Sequence, residues 1–248
     1  MSNSHYIVVD AGNTRIKVAV FHHSDIQTIK TFTAEQFDHL KSFLHPYKNW
    51  VGIISSVRSE KNTKWIKSLL PASILFHQKL YPILKNQYET PETLGMDRLA
   101  NAIAAANISQ TNALVIDVGT CIKYDVVSFP NNYLGGSISP GIELRYKSMH
   151  HFTGKLPLIT DFNTGSLTGT STLSAMRSGV MQGITFEMKG FISEYLQKFP
   201  DLTIFLTGGD AHYFDLGNNY NIFADENLTL KGLLIALLHA QKNSTSSH

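Results

Sequence analysis

Apolar runs broken by short polar interruptions open the chain. "YIVVD" at 6–10 and "IKVAVF" at 16–21 flank "AGNTR", which predicts two paired strands joined by a glycine turn. A helix-like segment near 34–45 precedes "NWVGIISSV" at 49–57, which predicts a short buried strand. Thr90-Pro91-Glu92 is a helix-start signal, and "RLANAIAAAN" beyond it is rich in alanine, so a helix is expected over about 91–107.

The pattern then repeats. "NALVIDVGTCIKYDVVS" at 112–128 has the same order as the opening: apolar strand, Asp, any residue, Gly, a polar residue, a short gap and a second strand. Asp10 corresponds to Asp117 and Gly12 to Gly119, an offset of 107 positions in a chain of 248. An offset near half the length predicts two related halves, 1–110 and 111–248, rather than a short repeat array. The second half continues with tight turns at Gly135-Gly136 and Pro140-Gly141, a helix expected around 172–199, and a strand, "DLTIFLTGGD", running into a double-glycine turn. An apolar closing helix is expected at 228–241, followed by a polar tail.

Composition narrows the partners. With 43% hydrophobic residues the chain can bury a large core, and 21 basic against 19 acidic residues give a net charge of +2 with no block of like charges. Neither a nucleic-acid face nor a polybasic membrane anchor is indicated. No apolar run approaches the roughly 20 residues of a membrane span, and the N-terminus lacks a secretory pattern, so a cytoplasmic protein is expected. Cys121, the single cysteine, has no base or orienting motif beside it and is read as buried filler. The adjacent pairs His22-His23 and His150-His151 are read as surface residues, because neighbouring side chains share no face.

Three strand-end glycine turns, at 10–14, 117–120 and 207–209, carry the candidate chemistry. Glycine admits a ligand close to the backbone and lets amides turn inward, which suits phosphate. A carboxylate beside phosphate requires a cation between them, so Asp10 and Asp117 suggest a magnesium-bound nucleoside triphosphate. Asp and Gly also make ordinary hairpin turns, and either loop alone leaves both readings open. Two matching loops half a chain apart favour the ligand.

This pattern resembles the actin-like ATPase and sugar-kinase superfamily. More narrowly, "DAGNTRIK" at 10–17, "PETLGMDR" at 91–98, "DVGT" at 117–120, "GGSISPGI" at 135–142 and "GTSTLSAMRSG" at 169–179 together resemble type III pantothenate kinase, in order and spacing. The resemblance implies an α/β fold of two ribonuclease-H-like halves, each a mixed β-sheet with flanking helices, with ATP in the cleft between them. It implies ATP-dependent phosphorylation of pantothenate to 4'-phosphopantothenate, the first step of coenzyme A biosynthesis. A non-catalytic regulatory factor on the same fold and another small-molecule kinase are the alternatives; Asp10, Asp97 and Asp117 are all present, which favours catalysis.

Carried over residue by residue, the resemblance puts ATP phosphates on Asp10, Ala11, Gly12, Asn13, Thr14, Arg15, Ile16 and Lys17, with Mg2+ near Asp10. Asp117 would hold a monovalent cation, K+ or NH4+, and Thr120 would contact ATP. Pantothenate would meet Tyr88, Gly95, Met96, Asp97, Arg98 and Thr172, with Asp97 as proton acceptor. A homodimer is implied as well. "LTGGD" at 206–210 stands where the superfamily places its adenine-side loop, though a plain strand-end turn reads equally well. Two positions depart from the family: Lys123 stands where threonine is common, and Ser171 where asparagine is expected.

Overall fold

A computed structural model of the chain describes residues 4–33 and 35–245. The chain divides into two compact units, one built up to Asn107 together with the segment from Leu228 onward, the other from Ile108 to Asn227.

The first unit contains β1 (His5–Ala11), β2 (Arg15–His22), β3 (Asp25–Thr33), α1 (Phe37–Leu44), β4 (Gly52–Ser56), α2 (Glu60–Leu69), β5 (Ser73–Leu75), a two-residue β6 (Lys85–Asn86) and α3 (Met96–Ile108). Its sheet has the order β3-β2-β1-β4-β5, with β1, β2 and β3 antiparallel and β4 and β5 running parallel to β1. As a central strand, β1 is covered on both faces, which explains its continuous apolar run. Ile7, Val9 and Ala11 join Leu40, Leu44 and Ile66 in one core, so α1 and α2 cover one face of the sheet.

The second unit contains β7 (Ala113–Val118), β8 (Cys121–Ser128), β9 (Asn132–Pro140), α4 (Ile142–Phe152), α5 (Thr172–Lys198), β10 (Thr203–Thr207) and β11 (Ile222–Ala224). Its strands lie in the order β11-β10-β7-β8-β9, with an antiparallel β7-β8-β9 meander and β10 and β11 parallel to β7. Counted from each first strand, both units follow the order three-two-one-four-five, so the repeat read from Asp10 and Asp117 is a repeat of whole sheets. Ile116, Ile122, Ile142, Met181, Ile184 and Met188 meet in the second core. Truncating one such buried isoleucine to alanine would cost about 2–5 kcal/mol.

Several boundaries differ from the expectations. The helix expected from 91 begins at Met96, because Pro91–Thr93 close a single 3-10 turn and Leu94 is extended at ψ 125°. The closing helix runs Leu228–Thr245, and residues 246–248 of the expected tail lie outside the described residues. That helix, expected in the second half, belongs to the first unit and packs on β1 and β4. Gly232 permits the approach: a Cβ there would lie 1.9 Å from the Ala100 carbonyl oxygen of α3. Cys121 is half-buried rather than buried. Among the described residues no helix is long and apolar enough to cross a membrane.

Candidate active site

In the first unit the β1-β2 hairpin carries the expected phosphate loop. Asp10 sits one residue before the end of β1, opposite Lys17 on β2 and beside Ser55 on the parallel β4. Asn13, Thr14 and Arg15 are exposed at the turn, whereas Ala11 and Ile16 are buried and can offer a ligand only backbone. Because β4 is parallel to β1, the segment after β4 reaches the same sheet edge. Val57 N–H donates to the Ala11 carbonyl at 3.1 Å and Arg58 Nη1 to the Gly12 carbonyl at 3.3 Å. Arg58 was not among the expected site residues. Its signal was topological: residues just beyond the C-terminal end of a strand parallel to β1 join the ligand edge of an α/β sheet.

The second unit repeats this edge. Asp117 is one residue before the end of β7, opposite Lys123 on β8 and beside Thr207 on β10. Lys123 Nζ lies 2.7 Å from Asp117 Oδ2, in an ion pair whose side chains are 18% and 12% exposed. Thr120 is exposed at the turn and Gly119 half-buried. Two further glycine segments press on this turn. Gly141 N–H donates to the Thr120 carbonyl at 3.0 Å, and a Cβ on Gly141 would meet the Gly119 carbonyl oxygen at 2.0 Å. Gly208 has φ +100°, a left-handed value suited to glycine, and a Cβ there would lie 2.2 Å from the Val118 carbonyl oxygen. "LTGGD" therefore packs directly on the end of the strand that carries Asp117.

The segment expected to meet the acceptor lies in the first unit, at the start of α3. Asp97, in the first turn, folds its carboxylate back so that Oδ1 accepts from Arg98 N–H at 2.9 Å. A Cβ on Gly95 would stand 2.6 Å from that same Oδ1. The glycine two residues earlier is thus what lets the carboxylate occupy its place. The Arg98 guanidinium lies 5.3 Å from the centre of the Tyr88 ring, and its Nη1 donates to the Tyr88 hydroxyl at 3.4 Å. Gly95, Asp97, Arg98 and Tyr88 are therefore brought together, and Met96 is half-buried among them in sequence.

Thr172 is the first residue of α5 and exposed, on a different element from Asp117 and Thr120. Ser171 has its own structural reason: it is the N-cap, and with Ser174 it forms a reciprocal capping box. Behind this unit's glycine segments, Glu187 of α5 accepts from Tyr124 at 2.8 Å, Ser139 at 2.5 Å and Arg145 at 2.5 Å. Burial opposes ionisation of Glu187, but these three donors outweigh it and hold its carboxyl below the ordinary range. Burial, then the bond to Glu187, pushes the Tyr124 phenol far up. The network ties α5 and α4 to β8 and β9, and sequence reasoning missed it because its four members are scattered over 124–187. Asp125, on the same strand as Lys123, is buried and accepts from the Tyr133 hydroxyl at 2.7 Å, a structural role.

Two mixed sheets of repeated order, each with an Asp-x-Gly turn after its first strand, are the arrangement that the resemblance to actin-like ATPases and sugar kinases implies. The fold is shared with MreB 5 of Spiroplasma citri bound to AMPPNP, at TM-score 0.52 and 12% identity, covering 100% of both chains. It is also shared with a proposed Baf family transcriptional activator from Campylobacter jejuni, at TM-score 0.63 and 23% identity, covering 96% of this chain and 99% of that one. The family model for type III pantothenate kinase matches residues 6–194. A type III pantothenate kinase of Christiangramia forsetii is 42% identical over 234 residues, 92% of this chain and 95% of that protein. The chain belongs to the type III pantothenate kinase family.

Proposed function

We propose that the chain transfers the terminal phosphoryl group of ATP to pantothenate, giving 4'-phosphopantothenate and ADP. The observation that carries this reading beyond family membership is the set at the start of α3. Asp97 holds a fixed carboxylate, and Arg98, against Tyr88, offers the planar fork that matches a carboxylate such as that of pantothenate. Asp97 accepts the proton of the primary hydroxyl as its oxygen bonds to the γ-phosphorus and the bond to the leaving ADP oxygen breaks. Met96 and Thr172 complete the substrate contacts on this reading.

Amides and side chains of residues 10–17, with Thr120 of the second turn, position the phosphates; Lys17 and the neighbouring Arg58 add positive charge at the first turn. One carboxylate at the mouth of a glycine turn is a donor set that fits Mg2+, which is usually held by one or two carboxylates plus substrate phosphates. Asp10 would hold that ion, which when bound offsets charge on the β- and γ-phosphates. Asp117 is a different case. Its carboxylate already holds the Lys123 ammonium at 2.7 Å. We take the protein to act in the cytoplasm as a homodimer. Light scattering on the purified chain checks the dimer.

A coupled assay of ADP formation tests the function. Turnover that depends on pantothenate is expected, and Asp97→Asn is expected to fold normally while losing about 10²–10⁴-fold in kcat. No pantothenate-dependent ADP above the substrate-free control would refute the kinase, and an unchanged rate in Asp97→Asn would remove Asp97 from catalysis.

A further inference from the structure

We propose that the Lys123 ammonium serves in this chain as a built-in monovalent cation on Asp117, so that phosphoryl transfer needs no added potassium or ammonium ion. The inference rests on the kinase reading for its consequence in catalysis, but its structural basis is independent of the substrate. Asp117 and Lys123 are directly opposed in the antiparallel β7-β8 ladder, where side chains on one face stand within reach. Their charged atoms are 2.7 Å apart and the side chains only 18% and 12% exposed, so the backbone delivers the ammonium to the carboxylate. The carboxylate stands two residues before the turn glycine, where Gly141 packs on the Gly119 and Thr120 carbonyls and Gly208 on the Val118 backbone.

An alkyl ammonium has the charge of a potassium ion. A second cation brought to Asp117 would have to share its single negative charge and stand against the fixed ammonium. The residues present therefore do not fit an added monovalent cation. A tethered ammonium also has a high effective concentration that does not vary with the medium.

The test compares potassium chloride with choline chloride at a constant ionic strength of about 0.1 M. In wild type, pantothenate-dependent kcat is expected to agree in the two salts. Lys123→Ala is expected to lose about a hundredfold in choline chloride, the scale of one lost electrostatic contact in an active site, and to recover with potassium in a saturable way. The melting temperature with Mg2+ and a non-hydrolysable ATP analogue gives a readout free of turnover. Potassium is expected to leave wild type unchanged and to raise Lys123→Ala. Wild type that needs potassium for turnover, or is stabilised by potassium over choline, overturns the proposal, and neither measurement requires the variant to fold. Absence of turnover in both salts would count against the kinase reading alone, since melting still decides the cation question.

Discussion

Gly95→Ala isolates the placement of one carboxylate. An added methyl would lie 2.6 Å from Asp97 Oδ1, about 0.8 Å short of the 3.4 Å at which ordinary contact begins. The obstructed atom ends a short side chain rather than belonging to backbone, so the carboxylate moves and the helix start does not. The Arg98 N–H bond to Asp97 at 2.9 Å is lost or lengthened, at about 0.5–1.5 kcal/mol. Alanine at a compatible backbone position returns about 0.4–1 kcal/mol through the unfolded state. These terms nearly cancel, and the melting temperature should move by no more than about 2–4 °C. Catalysis has no such compensation. A misplacement near 1 Å costs about a hundredfold, or about 2.7 kcal/mol in the barrier. In the coupled assay kcat should therefore fall about a hundredfold with the KM for ATP little changed. The cycle with Asp97→Asn completes the test: if the methyl acts only by moving Asp97, adding it to Asp97→Asn should cost little more. A kcat within about twofold of wild type, or full additivity in the cycle, would refute the role given to Gly95.

Two more outcomes follow from the same geometry. Arg98→Lys keeps the charge but loses the planar fork, so the KM for pantothenate should rise about tenfold to a hundredfold, from about 1.5–3 kcal/mol for a charge-assisted bond; an unchanged KM would take Arg98 out of substrate binding. The Glu187 carboxyl is held below its ordinary 4.5, so its stabilisation is full above that value and is lost as pH falls through the folded pKa. Wild type should lose melting temperature on acidification below pH 4.5 more steeply than Glu187→Gln, and parallel curves would refute the network's contribution.

What the sequence disclosed, and what it did not, depended on burial and on distance along the chain. Both hairpins were legible because their strands are buried and meet at Asp-x-Gly. β3 was not, since along Asp25–Thr33 only Phe32 is buried and no alternation survives. α2 escaped for a similar reason, with Ile66 its one buried residue. Asp97 and Arg98 were singled out by resemblance, yet the room that Gly95 leaves for the Asp97 carboxylate emerged only from its folded-back conformation. Arg58 and the closing helix are matters of topology: parallel pairing of β1 with β4 brings Arg58 to Gly12, and Gly232 fits the last helix against α3.

The two hairpins also settle what is repeated between the units. Lysine follows the aspartate by seven positions in the first and by six in the second, so sequence spacing alone would put the two lysines on opposite faces of a strand of fixed register. They are not on opposite faces, because the first turn is one residue longer: Ala11 pairs with Ile16, whereas Val118 pairs with Ile122. The extra residue restores the register, and each lysine lies opposite its aspartate. The repeated feature is therefore the cross-strand carboxylate and ammonium, held constant while the turn between them varies. Lys123 is on this view no surface substitution in a threonine position. It is the counterpart of Lys17, and the first turn, one residue longer, exposes Asn13 and Thr14 where the shorter second turn exposes Thr120 beside the Lys123–Asp117 ion pair.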